Sequence, residues 1–150
     1  MWYHGPVRYL SVDVGEKWVG LALSDPTGFL ATPLNVISRG EAHGARIRAL
    51  IEEYEVEAVV FGLPLNMDGS SGSQVEATYA YVQGLGPLPV PISYWDERLS
   101  SWEAEQMMSQ VRGRVRRRRE RLDAIAAALM LQDFLDTRQQ ESKRAARAAN

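Results

Sequence analysis

Three places in this chain set a carboxylate where a structural element begins or ends. Asp13 sits in the run "SVDVG", between two valines. Asp96 and Glu97 follow an apolar run in "SYWDERLSS", and Asp123 heads "LDAIAAALMLQDFL". Taken singly, each has an ordinary explanation. Asp13 could be a strand-end residue entering a turn. Asp96-Glu97 could be a solvated strand exit, with Arg98 paired to one acid. Asp123 could simply favour a helix dipole, an effect of about 0.3–1 kcal/mol. Taken together they suggest metal chemistry. Clustered carboxylates repel and cannot all stay ionised unpaired. Hard divalent cations such as Mg2+ or Mn2+ prefer oxygen ligands and relieve that repulsion. Two such ions about 3.5–4 Å apart can activate a water and stabilise the leaving oxygen of a phosphodiester.

The elements that would position these acids follow from periodicity and turn chemistry. Tyr9–Val14 and Trp18–Leu23 are expected strands joined by the turn Gly15-Glu16-Lys17, a hairpin. Ser24–Gly28 is turn chemistry, with Ser24-Asp25 as an Asx-type turn, and Ala31–Ser38 is a third strand. Glu41–Glu55 has helical spacing, with Ile47, Leu50, Ile51 and Tyr54 on one face. Val56–Phe61 fits a strand covered on both sides, Ser73–Leu85 a helix and Val90–Trp95 a further buried strand. Ser100–Val111 is a third helix, with Ser100 and Glu103 at the spacing of a capping box. Leu122–Leu135 is a last helix, apolar almost all round and so expected to be well buried. The segment 137–150 is polar and expected to fray. The order is β-β-β-α-β-α-β-α-α, an α/β fold with a mixed sheet and helices on both faces. Ligands of such sheets collect at the carboxyl ends of the strands, where Asp13 and Asp96-Glu97 lie.

The chain has 150 residues, enough for one domain with a full core. At 45% apolar and 24% charged residues it has the composition of a soluble globular protein. It holds no cysteine, which excludes disulfides and thiolate metal sites and fits a reducing compartment. No signal-peptide pattern and no long apolar run are present, so the expected location is the cytoplasm, without a membrane. The net charge of −2 hides an asymmetry. Residues 112–150 hold 11 of the 17 basic side chains and only 5 of the 19 acidic ones. That imbalance suggests a polyanionic partner for the basic end.

Four segments carry a resemblance: "DVGEKWVGLALSD" (13–25), "GLPLNMDGSSG" (62–72), "DERLSSWEAE" (96–105) and "LDAIAAALMLQDFLD" (122–136). In that order they resemble the YqgF (RuvX) family, bacterial nucleases of the ribonuclease H-like superfamily. The resemblance implies a three-layer α/β/α fold with a five-stranded mixed sheet over residues 1–136. It implies a carboxylate triad that binds Mg2+ or Mn2+, as two ions: Asp13, one acid of Asp96-Glu97, and Asp123. The family motif favours Glu97, with Asp96 as its substitute; strand parity alone leaves either facing inward. The implied activity is endonucleolytic cleavage of a phosphodiester. Two substrates are attached to the family, the 5′ end of precursor 16S ribosomal RNA and four-way (Holliday) DNA junctions. The chain departs from the family pattern at Glu16 and Trp18, where a small residue and an Arg are usual, and at Ser100-Ser101, which keep the usual hydroxyls.

The remaining candidates concern grip on the substrate. In "GLPLNMDGSSG", Asn66, Asp68 and Ser70 could wall the site, or the loop could be a plain turn around Asp68-Gly69. Seven arginines fill "RGRVRRRRER": Arg112, Arg114, Arg116, Arg117, Arg118, Arg119 and Arg121. Such a run is expected to order on phosphates, with binding that falls steeply with salt. Lys17 and Arg98 stand nearer the acids and suit the scissile phosphate, although Arg98 could equally brace Glu97. Ser100 could touch the substrate or cap its helix. Trp18, Trp95 and Trp102 could stack on bases, but core packing is the plainer role. His4 and His43 lie outside every motif. Two other functions fit parts of the pattern. One is a non-catalytic RNA-binding module, which would gain nothing from clustered acids. The other is a nucleotide-binding domain like those of the actin and sugar-kinase superfamily, which needs two such domains around ATP. A homodimer would suit symmetric cutting of a junction.

Overall fold

The computed structural model describes residues 7–40, 42–64, 68–96 and 119–149, with side chains of the last segment from residue 124. Five strands form one sheet: β1 (Tyr9–Val14), β2 (Trp18–Ser24), β3 (Ala31–Ser38), β4 (Ala58–Leu63) and β5 (Ile92–Asp96). Their spatial order is β3-β2-β1-β4-β5. Two hairpins make β1–β2 and β2–β3 antiparallel, while β1–β4 and β4–β5 are parallel. The helices are α1 (His43–Glu53), α2 (Ser73–Gly84) and α3 (Arg119–Ala148). None among the described residues is long and apolar enough to cross a membrane.

Alternation along β1 explains the layering. Leu10 and Val12 point to one face, Tyr9 and Ser11 to the other, and all four are buried. On the first face they join Val19, Leu21, Phe61 and, from the helices, Ile47, Ile51 and Tyr81. On the second, Tyr9 joins Ala22 and Val60 under Ala127, Leu131, Phe134 and Leu135 of α3. α1 and α2 therefore cover one face and α3 the other. The helices of the first layer are tied together where Arg48 donates to the Leu85 carbonyl oxygen at 2.6 Å and His43 stacks on Tyr81.

β1 and β3 have the predicted bounds, β2 and α2 differ by one residue at one end, and α1 and β4 by two residues at each end. Two expectations are corrected. β5 is not a buried strand: it lies at the sheet edge, beginning at Ile92, whose side chain is exposed. The last helix begins at Arg119, inside the arginine run, and continues past Leu135 to Ala148. The helix expected at Ser100–Val111 lies outside the described residues.

The Asx turn at Asp25 is present. Its carboxylate accepts the backbone N–H groups of Thr27 (3.1 Å), Phe29 (2.8 Å) and Leu30 (2.8 Å), and the Thr27 hydroxyl. Slight burial pushes its pKa up, but the Leu30 N–H and these other donors outweigh it and hold the carboxyl well below its ordinary value. A depressed pKa means stability present above the unfolded pKa of about 3.9 and lost as pH falls through the folded one. Asp25→Ala is expected to cost about 1 kcal/mol at neutral pH, the scale of a lost cap. The difference from wild type should shrink in chemical melts toward pH 2.

Candidate active site

The hairpin turn sets the position of Asp13. Gly15 donates its N–H to the Trp18 carbonyl oxygen at 2.9 Å and closes the turn. A Cβ on Gly15 would stand 2.7 Å from that same oxygen, so only glycine fits. Asp13 pairs with Gly20 across the hairpin. On its other side, the Val12–Phe61 pairing puts Asp13 level with Gly62 of β4. The neighbours of Asp13 in the sheet plane thus carry no side chain. Alternation places Asp13 on the α3 face, with Tyr9 and Ser11.

α3 runs antiparallel to β1 over this face. Phe134 packs edge-on to Tyr9, with centroids 5.1 Å apart, and Ser11 Oγ donates to the Ala127 carbonyl oxygen at 2.9 Å. From that bond Asp13 is two residues farther along β1, about 7 Å. Asp123 stands one helical turn, about 6 Å, before Ala127 in the same direction. The backbone thus brings the residues of two separate motifs to one end of the sheet. Ser11 is fully buried, so Ser11→Ala removes this strand–helix tie. A loss of about 1 kcal/mol, read by urea unfolding, is expected.

Register also separates Asp96 from Glu97. Trp95 packs on the α3 face, its ring edge-on to Phe134 at 5.5 Å, whereas Tyr94 packs toward α1 and α2. Asp96 therefore alternates to the face opposite Asp13. Trp95 belongs to the core, as its plainer role predicts. Glu97, Arg98, Ser100, Asn66, Trp102, Arg112, Arg114 and Arg116–Arg118 lie outside the described residues. Arg119 and Arg121 fall in the first turn of α3. Lys17 is exposed in the hairpin turn. In the second loop, the Ser70 N–H donates to Asp68 Oδ1 at 2.8 Å and Gly69 has φ of 87°, the local turn that was the simpler reading.

A cleft of about 560 Å3 opens at this end of the sheet, lined by Asp13, Gly62, Arg39 and the α2 residues Ser73 and Gln74. Arg39 was not foreseen. Two successive hairpins make β3 parallel to β1, so the residue after β3 emerges at the edge where Asp13 does. Its guanidinium is held in place: Nη1 donates to the carbonyl oxygens of Gly15 (3.1 Å) and Glu16 (3.4 Å) and the group lies 5.1 Å from the Tyr81 ring centroid. Burial pushes the Tyr81 phenol up to about 12 against the opposing Arg39 charge, so the ring is a neutral platform for that cation. Asp13, whose side chain alternates to the α3 face, thus stands at the rim of this cleft, and Arg39 sets a cation on its α2 side.

A five-stranded mixed sheet in this order with helices on both faces is a fold of the ribonuclease H-like class. The family model described as "RuvX: Holliday junction resolvase" matches residues 7–137. A Roseiflexus protein named "Putative pre-16S rRNA nuclease" is 45% identical over 135 residues, covering 88% of this chain and 96% of its own. A protein of the same name from Desulforamulus reducens is 41% identical, covering 87% of this chain and 98% of its own. Among solved structures, T. thermophilus RuvC in complex with a Holliday junction superposes with a TM-score of 0.53. That match covers 87% of this chain and 96% of the other at 16% identity, a likeness of fold. The chain belongs to the RuvX (YqgF) family.

Proposed function

We propose that this chain is a divalent-metal-dependent endonuclease acting on structured nucleic acid, with precursor 16S ribosomal RNA as its main substrate. The observation that carries this reading is Asp13. It is a carboxylate at the carboxyl end of the central strand, flanked in the sheet by Gly20 and Gly62, at the rim of a cleft that also holds Arg39. Hard oxygen donors such as a carboxylate suit Mg2+ or Mn2+. Asp13, Glu97 and Asp123 are the residues that would hold two such ions; that Asp96 takes the opposite face supports Glu97 over Asp96. Bound there, divalent ions supply a more acidic water and positive charge for the leaving oxygen.

The chain's own residues do the rest. Gly20 and Gly62 leave room beside Asp13 for a backbone phosphate. Arg39 presents a cation whose direction is fixed before substrate arrives, so little ordering is needed on binding. Lys17 in the hairpin turn and Arg98, next to Glu97 in the sequence, add charge for the scissile phosphate. The arginines from Arg112 to Arg121 draw in the strand beyond it. In-line attack by water on phosphorus with departure of the 3′ oxygen leaves 5′-phosphate and 3′-hydroxyl ends. End-group analysis of cut RNA tests this: those ends are expected, and a 2′,3′-cyclic phosphate would contradict it.

The name of the RuvX family model favours a second substrate, the four-way DNA junction. Cutting it symmetrically takes two active sites and hence a two-fold dimer, whereas trimming one RNA end takes a single copy. A role on ribosomal RNA precursors would place the protein in the cytoplasm.

A further inference from the structure

A second hollow, of about 500 Å3, opens at the other end of β1, where α3 passes the loop between β2 and β3. Tyr9 and Leu135 line it with Phe29, Arg138 and Lys143, and among the described residues no acidic side chain takes part. Phe29 is 56% exposed and its neighbour Leu30 67%, an unusual display of two large apolar groups. The Arg138 guanidinium lies 5.5 Å from the Tyr9 ring centroid. The loop that carries Phe29 is fixed by Asp25 from within and by α3 from outside. Gln132 Nε2 donates to the Phe29 carbonyl oxygen at 2.9 Å, and Gln139 Nε2 to that of Gly28 at 3.3 Å.

Beyond this hollow α3 becomes an arm. Residues 140–149 are exposed on all sides, yet the helix continues to Ala148. Its sequence explains why: "RQQESKRAARAA" holds no glycine or proline and is built of strong helix formers. Lys143, Arg144 and Arg147 near the carboxyl terminus also complement the helix dipole. With Arg138, the arm carries four basic side chains against the single Glu141. It lies beyond the residues matched by the family model.

We propose that the hollow and the basic arm form a second nucleic-acid contact, which takes an unpaired stretch of the substrate strand flanking the cut. The inference rests on the nuclease reading and extends it to a part of the chain outside the catalytic cleft. An exposed ring stacks on any base, and flanking cations neutralise the phosphates on either side of it. Tyr9 and Asp13 are four residues apart on β1, about 13 Å, a distance a strand crosses in a few nucleotides. The contact would therefore hold the strand near the cleft without touching the reacting phosphate.

The test uses the full chain carrying Asp13→Asn, so that nothing is cut, and two RNAs, a stem-loop with and without a short single-stranded extension. Affinity is read by fluorescence anisotropy over a range of salt. Phe29→Ala is expected to weaken binding of the extended RNA about tenfold and to leave the plain stem-loop unchanged. Lys143→Gln with Arg144→Gln is expected to flatten the slope of log K against log salt by about 1.4 on the extended RNA. Equal losses on both RNAs, or none on either, would overturn the proposal while leaving the nuclease reading intact. So would a Phe29→Ala protein that changes from dimer to monomer with its RNA affinity untouched. Failure of the parent to bind either RNA would overturn both readings.

Discussion

Asp13→Asn is expected to lower cleavage by at least about 10³-fold, some 4 kcal/mol of transition-state stabilisation, while leaving the fold intact. The substitution keeps the size of the side chain and removes its charge. Its sheet neighbours, Gly20 and Gly62, carry no side chain. In the proposed triad, removing one carboxylate relieves repulsion, so the metal-free variant is expected to melt no lower than the metal-free wild type. The difference should appear on adding Mg2+ or Mn2+. A ligand that binds only the folded state raises the melting temperature by mass action, and the variant should lose most of that rise. Thermal melts with and without metal, beside a cleavage assay, read both effects.

The largest expected effect on stability comes from Phe61→Ala. Phe61 is fully buried in β4 between the central strand and β5, facing α1 and α2. Its ring lies 6.1 Å from that of Tyr94 on the neighbouring strand. Truncation leaves a cavity in a packed layer and should cost about 3–5 kcal/mol. For a chain of this size that is a drop on the order of 10 °C in Tm. Phe61 faces away from the Asp13 side of the sheet. Cleavage measured well below the melting point should therefore stay within a few-fold of wild type. Large losses in opposite properties from Asp13 and Phe61 would separate the site from its scaffold.

The sequence carries β1 and β3 plainly, because both are bounded by Gly, Pro and Asp turns that fix their ends. β5 differs because "VPISYW" is apolar apart from Ser93, and a mostly apolar run does not say whether a neighbour covers it; Ile92 stays exposed at the edge. The length of α3 was missed for a different reason. The segment after Leu135 is polar, which suggests fraying, but helix formers without a breaker continue a helix that is already nucleated. Asp13 was identifiable as an acid in a buried strand. The face of Asp96 was not, since period-2 alternation needs one anchored residue, and Trp95 against Phe134 supplies it. Arg39 stands in no motif. Only the parity of two hairpins brings it to the edge of the sheet where Asp13 lies.

One assay tests the central claim most directly. An end-labelled 5′-extended 16S precursor fragment and a synthetic four-way DNA junction are each incubated with wild type or Asp13→Asn. Each incubation is run with Mg2+, with Mn2+ or with chelator. The account predicts that the wild type cuts the RNA only when metal is present and that Asp13→Asn does not cut it. Cutting of the junction as well would mark an enzyme that selects structure. Binding of both substrates without cutting either, in any metal, would contradict the account and leave a nucleic-acid-binding module in its place.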